Sequence, residues 1–194
     1  MAKQAERREA TRGAILAAAY RRFGEAGFAA VTMDEIAAAA RLAKGAVYHH
    51  FPSKEALFEA VFERAAGDVQ SRVREVAMGS ADRLKALAAG SRAYFQTCAQ
   101  APFDRIILKD GPAVLGWDRW RELDERYFLA VLPMTLEAAM ESGLIRRQSV
   151  QPLARLLAGA LTEAAVACAA SDDPAATGQE HAVALESLLE GLRA

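Results

Sequence analysis

The stretch VTMDEIAAAARLAKGAVYHHFPSKEALF, from Val31 to Phe58, decides the fold. Thr32 stands three residues before Glu35, the spacing of a capping box, in which each side chain satisfies the other's free backbone amide. Val31 and Ile36 fall at the two positions of a hydrophobic staple. A helix therefore starts at Thr32, and Arg41-Leu42-Ala43 interrupts it. A second short helix runs through Lys44-Gly45-Ala46-Val47-Tyr48-His49-His50. It must stop near Phe51, because Pro52 disfavours a helical residue before it. Two short helices joined by a tight turn make a helix-turn-helix. Such a unit sets the N-terminal end of its second helix into the major groove of DNA. Here that end carries Lys44, with Gly45 and Ala46 small enough for close approach. Tyr48, His49 and His50 follow, polar rings that can bond phosphates and pack on sugars.

Helical periodicity continues on both sides. Upstream, Ile15, Leu16, Ala19 and Phe23 recur at helical spacing as far as the stop signal Gly27. Residues 1–10 are polar and are expected to fray. Downstream, Ser53 caps a fourth helix with an apolar stripe from Leu57 and Phe58 to Val69 and Val73. A fifth helix spans about 82–99. Pro102 opens a short sixth, closed by the Gly111-Pro112 turn. A long seventh runs from Trp117 to Glu141, with a kink expected at Pro133. Pro152 begins an eighth, whose Leu153, Leu156, Leu157, Leu161, Ala165 and Cys168 form a regular apolar face. After the Asp172-Asp173-Pro174 break, Leu185, Leu188, Leu189 and Leu192 mark a ninth. No segment reads as a strand. The pattern predicts an all-α chain of about nine helices. The helix-turn-helix places a head at 1–53, with an ordered core at 10–53, and leaves a second helical region at 54–194, with helix 54–78 as connector.

Composition agrees. Of 194 residues 53% are hydrophobic, 45 are Ala, and the net charge is −1. Such a chain is too apolar and too weakly charged to be disordered, and its alanines favour helices. The small net charge hides an asymmetry. Residues 1–54 hold nine basic and five acidic side chains, a balance of +4, and the remainder holds 15 basic and 20 acidic, a balance of −5. A basic head on an acidic body suits a polyanion partner. No uninterrupted apolar run approaches about 18 residues, and the N-terminus lacks a signal-like apolar segment, so a cytoplasmic protein with no membrane partner is expected. Cys98 and Cys168 lie far apart and read as small core residues. His49-His50 has no further ligand at zinc-like spacing, and no nucleophile-base pair or phosphate loop is visible. Metal, cofactor and catalysis are therefore not expected. Glu122, Asp124 and Glu125, among Arg119, Arg121 and Arg126, read as a salt-bridged helix face.

Thr32-Met33-Asp34-Glu35-Ile36-Ala37, followed by the run from Lys44 to Phe58, resembles the signature of TetR/AcrR-type transcriptional regulators. The matching block covers about Ala14 to Phe58. The resemblance implies an all-helical homodimer, with a three-helix DNA-binding head over 1–53 and a larger effector-binding and dimerisation domain over 54–194. It places Thr32 near a phosphate, Lys44, Tyr48 and His49 on DNA from the recognition helix, and Lys54 on a phosphate at the start of helix four. Arg41 stands where the family's turn usually has Gly, and Ala43 where it often has Ser or Thr. Arg41 and Gly45 complete the expected DNA-facing set. Tyr48 as a helix-end core aromatic, Lys54 as a solvated lysine, and Arg7, Arg8 and Arg12 as either a free arm or a minor-groove reader remain alternatives.

The expected function is a ligand-responsive repressor. As a homodimer it binds a palindromic operator in double-stranded DNA, and a small, largely apolar effector releases it. A helical enzyme or sequestering module with an incidental helix-turn-helix is the competing class, and a DNA binder without effector is a third. The expected effector pocket comprises Tyr94, Phe95, Cys98, Phe103, Ile107, Trp117, Trp120, Tyr127 and Met134. The expected dimer interface comprises Leu153, Leu157, Leu161, Leu185, Leu188 and Leu192, on two late helices with wide apolar faces.

Overall fold

The computed structural model describes residues 2–194, with side chains from residue 4 onward. The chain is all-α: α1 (Ala2–Ala26), α2 (Met33–Ala40), α3 (Lys44–His50), α4 (Lys54–Ala77), α5 (Arg83–Cys98), α6 (Gly111–Leu115), α7 (Trp117–Asp124), α8 (Leu132–Glu141), α9 (Val150–Ala170) and α10 (Pro174–Glu190). Two π-helical segments, Asp104–Asp110 and Glu125–Leu129, lead into α6 and away from α7. Among the described residues no strand forms, and Ile145 and Arg193 make one isolated bridge.

Three local expectations need correction. Fraying over 1–10 is not what the structure has: α1 already runs from Ala2. Its first turns are Ala, Gln, Glu and Arg, strong helix formers that need no buried face to stay helical. Met1 and the Lys3 side chain lie outside the described residues. The sixth helix does not close at Gly111-Pro112. Pro112 sits in the first turn of α6, where its missing N–H costs nothing, and the helix closes at Gly116, φ 78°. The seventh is not one kinked helix. Pro133 has no N–H to offer the Leu129 carbonyl. The chain widens beforehand into the π segment, where the Ala130 N–H donates to Glu125 O at 2.9 Å. It then turns and restarts as α8 with Pro133 in its first turn.

The chain divides into two compact units: residues up to Ala65 with Ala101–Asp118, and Ala66–Gln100 with Arg119–Ala194. The boundary expected at 53/54 thus falls inside the first unit, which also takes in 101–118. Close contact with α1 explains the recruitment. A Cβ on Gly24 would stand 2.5 Å from the Pro102 Cβ, so only glycine permits the approach. The Phe28 N–H donates to the Asp110 carboxylate at 2.8 Å. The first unit's core is Ile15, Phe23, Ile36, Val47, Leu57, Phe58, Val61 and Phe62, with the Phe23, Phe28 and Phe58 rings 5.3–5.7 Å apart.

The second unit buries Leu84, Phe95, Trp120, Leu123, Leu136, Ile145, Ala165, Cys168 and Leu189. Arg193 closes its end, bonding Asp82 at 2.9 Å and Glu190. By length and a mean hydropathy of 1.5, α9 would suffice to cross a membrane. In this fold one side of α9 is buried, through Ala154, Leu157, Leu161, Ala164, Ala165 and Cys168.

Candidate nucleic-acid interface and effector cavity

The helix-turn-helix forms as its local chemistry dictates. The Thr32 hydroxyl accepts from the Glu35 amide at 3.2 Å, and the Glu35 carboxylate accepts from the Thr32 amide at 2.7 Å. Met33, Ile36 and Ala37 bury one face of α2. Arg41 adopts a left-handed conformation, φ 57° and ψ 43°, a strain of about 1 kcal/mol for a residue with a Cβ. The Leu42 N–H reaches back to Ala37 O at 2.9 Å, ending α2 and aiming the chain into α3. Ala43 caps α3 with no side-chain hydrogen bond. Val47 alone in α3 is fully buried. That single anchor leaves Lys44, Gly45, Tyr48 and His49 on one exposed face.

Each expected DNA-facing residue has a definite place. Lys44 pairs with Asp34 of α2 at 2.9 Å, which raises its pKa, and its ammonium lies 5.9 Å from the Tyr48 ring centroid. Tyr48 is 42% exposed, not a core aromatic. A Cβ on Gly45 would meet nothing within 4 Å, so the protein's own packing does not require glycine there. Arg41 and His49 are exposed. Thr32 is exposed, but its hydroxyl also donates to the Glu35 carboxylate at 3.0 Å, so it is occupied by the cap. His50 is half-buried. Burial lowers its pKa most, followed by the nearby charges of His49, Arg8 and Arg12. The arginines of α1 thus stand at the far end of the recognition helix. Lys54 differs most from expectation. Its ammonium donates to the Phe28 and Val31 carbonyls, both at 2.9 Å, and lies 4.1 Å from the Phe28 ring centroid. It ties the loop between α1 and α2 to the start of α4, rather than standing free for a phosphate.

In the second unit a cavity of about 120 Å3 opens between α4, α5, the segment from Asp124 to Thr135, and α9. An engineered apolar cavity of about 150 Å3 takes benzene, so this one admits a compact molecule. Val73, Leu87, Phe128, Leu129, Leu132 and Leu161 are among its apolar walls. Of the nine expected pocket residues only Tyr94 lines it. Phe95, Cys98 and Trp120 are buried in the second unit's core but outside the wall. Phe103, Ile107 and Trp117 belong to the first unit. Tyr127 turns its carbonyl to Gln70 at 2.7 Å, and Met134 is 71% exposed. The break before Pro133 is the reason: it rotates the helix face on which Tyr127 and Met134 were expected to align.

Asp124 is the cavity residue that periodicity missed. It is 3% exposed, and its carboxylate accepts from the Thr162 hydroxyl at 3.0 Å and the Tyr94 hydroxyl at 3.4 Å. The expected salt-bridged face exists at Arg119 and Glu122, 2.6 Å apart. Asp124 instead stands four residues after the buried Trp120, on the apolar side of the helix. That spacing was the available signal.

Burial raises the Asp124 pKa from 3.8 to about 6, against the lowering effects of Thr162, Tyr94 and Arg121. Tyr94 and Cys98, which face it from α5, are themselves pushed upward by burial and stay protonated. Arg121 and Glu125 flank it on its own segment, and α9 presents the hydroxyl of Thr162. Because the folded pKa is the higher one, the fold binds this proton more tightly than the unfolded chain. The contribution is fully present below about pH 4 and is lost as pH rises through 6, a span of about 3 kcal/mol. Asp124→Asn removes the titration. Urea melts at pH 5 and 7.5 should show the parent gaining stability relative to this variant at the lower pH. A pH-independent difference would contradict a buried, titrating carboxyl.

The expected dimer leucines also divide. Leu157, Leu161 and Leu185 are buried within the unit, Leu153 and Leu192 are half-buried, and Leu188 is 60% exposed. The outward faces of α9 and α10 instead carry Leu156, 73% exposed, with Gly159, Ala160, Val183 and Ala184.

Comparison with known proteins gives consistent matches. Residues 15–61 match the family model for bacterial regulatory proteins of the tetR family, and 84–192 match that for the tetracyclin repressor-like C-terminal domain. A curated relative, the HTH-type transcriptional activator FasR of Mycolicibacterium smegmatis, is 38% identical over 45% of this chain and 40% of its own length. The HTH-type transcriptional repressor KstR2 of Rhodococcus jostii is 31% identical over 64% of this chain and 62% of its own. The chain thus spans less than two thirds of either. A TetR-family transcriptional regulator from Pectobacterium atrosepticum, solved by crystallography, superposes with a TM-score of 0.86 at 32% identity, covering 97% of this chain and 96% of that one.

Proposed function

We propose, from the premise that this chain is a helix-turn-helix transcriptional regulator belonging to the TetR family of bacterial regulatory proteins, that it is a ligand-responsive repressor. It works in the cytoplasm as a homodimer on a palindromic operator, and a small, largely apolar effector releases it. It performs no catalysis. The observation that carries the reading is the course of α4. This helix starts at Lys54, three residues beyond the recognition helix's end at Phe51, and supplies Val73 and Ala77 to the cavity wall. A ligand that displaces those two side chains acts on the helix that anchors the head.

Lys44, Gly45, Tyr48 and His49 enter the major groove, with Arg41 and the Thr32 helix end beside them on phosphates. Lys54 positions the head by holding the loop between α1 and α2. In a dimer the two recognition helices must stay about 34 Å apart to enter successive grooves. A tilt of α4 at its cavity end becomes misregister at the DNA. By linkage, an effector that weakens operator binding must itself bind more weakly when the operator is present.

Selection of bound sequences from a random duplex pool tests this directly. An inverted repeat should be enriched, and its affinity should fall steeply with salt as counterions are displaced. A promoter carrying that repeat should be silenced by the protein. Absence of any enriched sequence would overturn the reading.

A further inference from the structure

The cavity has five polar side chains in its wall: Ser91, Tyr94, Asp124, Thr135 and Thr162. The four hydroxyls have already committed their protons. Ser91 donates to Leu87 O at 2.9 Å and Thr135 to Val131 O at 3.0 Å, each to a carbonyl four residues back. Thr162 and Tyr94 both donate to Asp124, at 3.0 and 3.4 Å. What remains toward the cavity is lone pairs only. A carboxylate offers about four acceptor sites, and two hydroxyls leave part of that capacity open. Asp124 is also the only charged side chain in this wall. Its pKa of about 6 leaves it ionised above neutrality. Two aromatic residues, Tyr94 and Phe128, also line the cavity, with ring centroids 4.9 Å apart, and an aromatic ring within reach of a cation attracts it.

We infer that this cavity selects a compact apolar amine, bound as its ammonium ion with the charge against Asp124 and the apolar body between Val73, Leu87, Leu132 and Leu161. The inference rests on the effector reading above and names the class of molecule. An ammonium brings donors and no acceptor, which matches a wall of acceptors, and it neutralises a buried charge. A carboxylic acid of the same shape brings a second negative charge beside Asp124, with no cation in the wall to offset it. An uncharged alcohol supplies one donor and brings no positive charge to set against the carboxylate.

The test uses four probes of nearly equal size, benzylamine, benzyl alcohol, benzoate and toluene. Each is titrated against the whole protein at pH 7.5 by calorimetry and by thermal shift. Benzylamine should bind at least ten times tighter than benzyl alcohol or toluene, and benzoate should not register. Asp124→Asn conserves shape, and it should abolish the benzylamine advantage while leaving the binding of benzyl alcohol and toluene within a few-fold of the parent. Benzoate or benzyl alcohol binding as tightly as benzylamine would overturn the amine assignment and leave the effector cavity standing. Unchanged benzylamine affinity in the Asp124→Asn protein would do the same. Failure of all four probes to bind would overturn the cavity as a small-molecule site, and the amine assignment with it.

Discussion

Replacing Lys44 and Tyr48 together by alanine should weaken operator binding on the order of 100-fold or more and leave the melting temperature nearly unchanged. Both side chains are exposed, and α3 is held to the head by Val47, which neither substitution touches. The Lys44 pairing with Asp34 lies in solvent, where such pairs add little to stability. In a dimer each substitution acts in both half-sites, so the losses double in free energy. Loss of the lysine should also flatten the dependence of affinity on salt. Fluorescence anisotropy with labelled operator across a salt series measures both effects. Parent-like affinity in the double variant would remove α3 from the interface. Lys54→Ala is a poorer probe. It frees the Phe28 and Val31 carbonyls, so its binding loss should come with a lower melting temperature.

Aspartate at Leu157 and at Leu188 should produce two different failures. Leu157 is buried within the second unit, and an unpaired carboxylate there costs several kcal/mol. That variant should lose helicity and aggregate. Leu188 is exposed on α10, in the outward face with Val183 and Ala184. Leu188→Asp should keep the parent's circular dichroism yet sediment as a monomer, because a two-fold interface brings the new charges in on both sides. With the dimer lost, binding to a two-half-site operator should fall with it. If Leu188→Asp stays dimeric at micromolar concentration, the dimer uses another face.

The difference between these leucines shows where reading a sequence stops. Leu153, Leu157 and Leu161 repeat every four residues, and that spacing established correctly that they share one face of α9. Spacing does not say what covers a face. The structure turns Leu157 and Leu161 inward and leaves Leu156 outside. Asp124 is a parallel case. Its charged neighbours suggested a solvated surface, while its distance of four residues from Trp120 put it on the buried side, and the second signal was the correct one.

The sequence by itself determined the features that depend on a few neighbouring residues. Among these are the Thr32–Glu35 capping box, the end of α3 at Phe51 before Pro52, the Ser53 cap at the start of α4, and the all-helical composition of the chain. Their energies come from contacts within one or two turns, so adjacent letters carry the information. Only the tertiary structure decided which polar groups would be enclosed together. Tyr94, Asp124 and Thr162 are separated by 30 and 38 residues along the chain, and they meet because α5, α7 and α9 each bury apolar residues in the second unit's core. The same packing assigned Lys54 to the Phe28 and Val31 carbonyls and residues 101–118 to the head. Hydrophobic burial is non-directional. It draws helices together without specifying, in any short stretch of sequence, which side chains will share the space that remains.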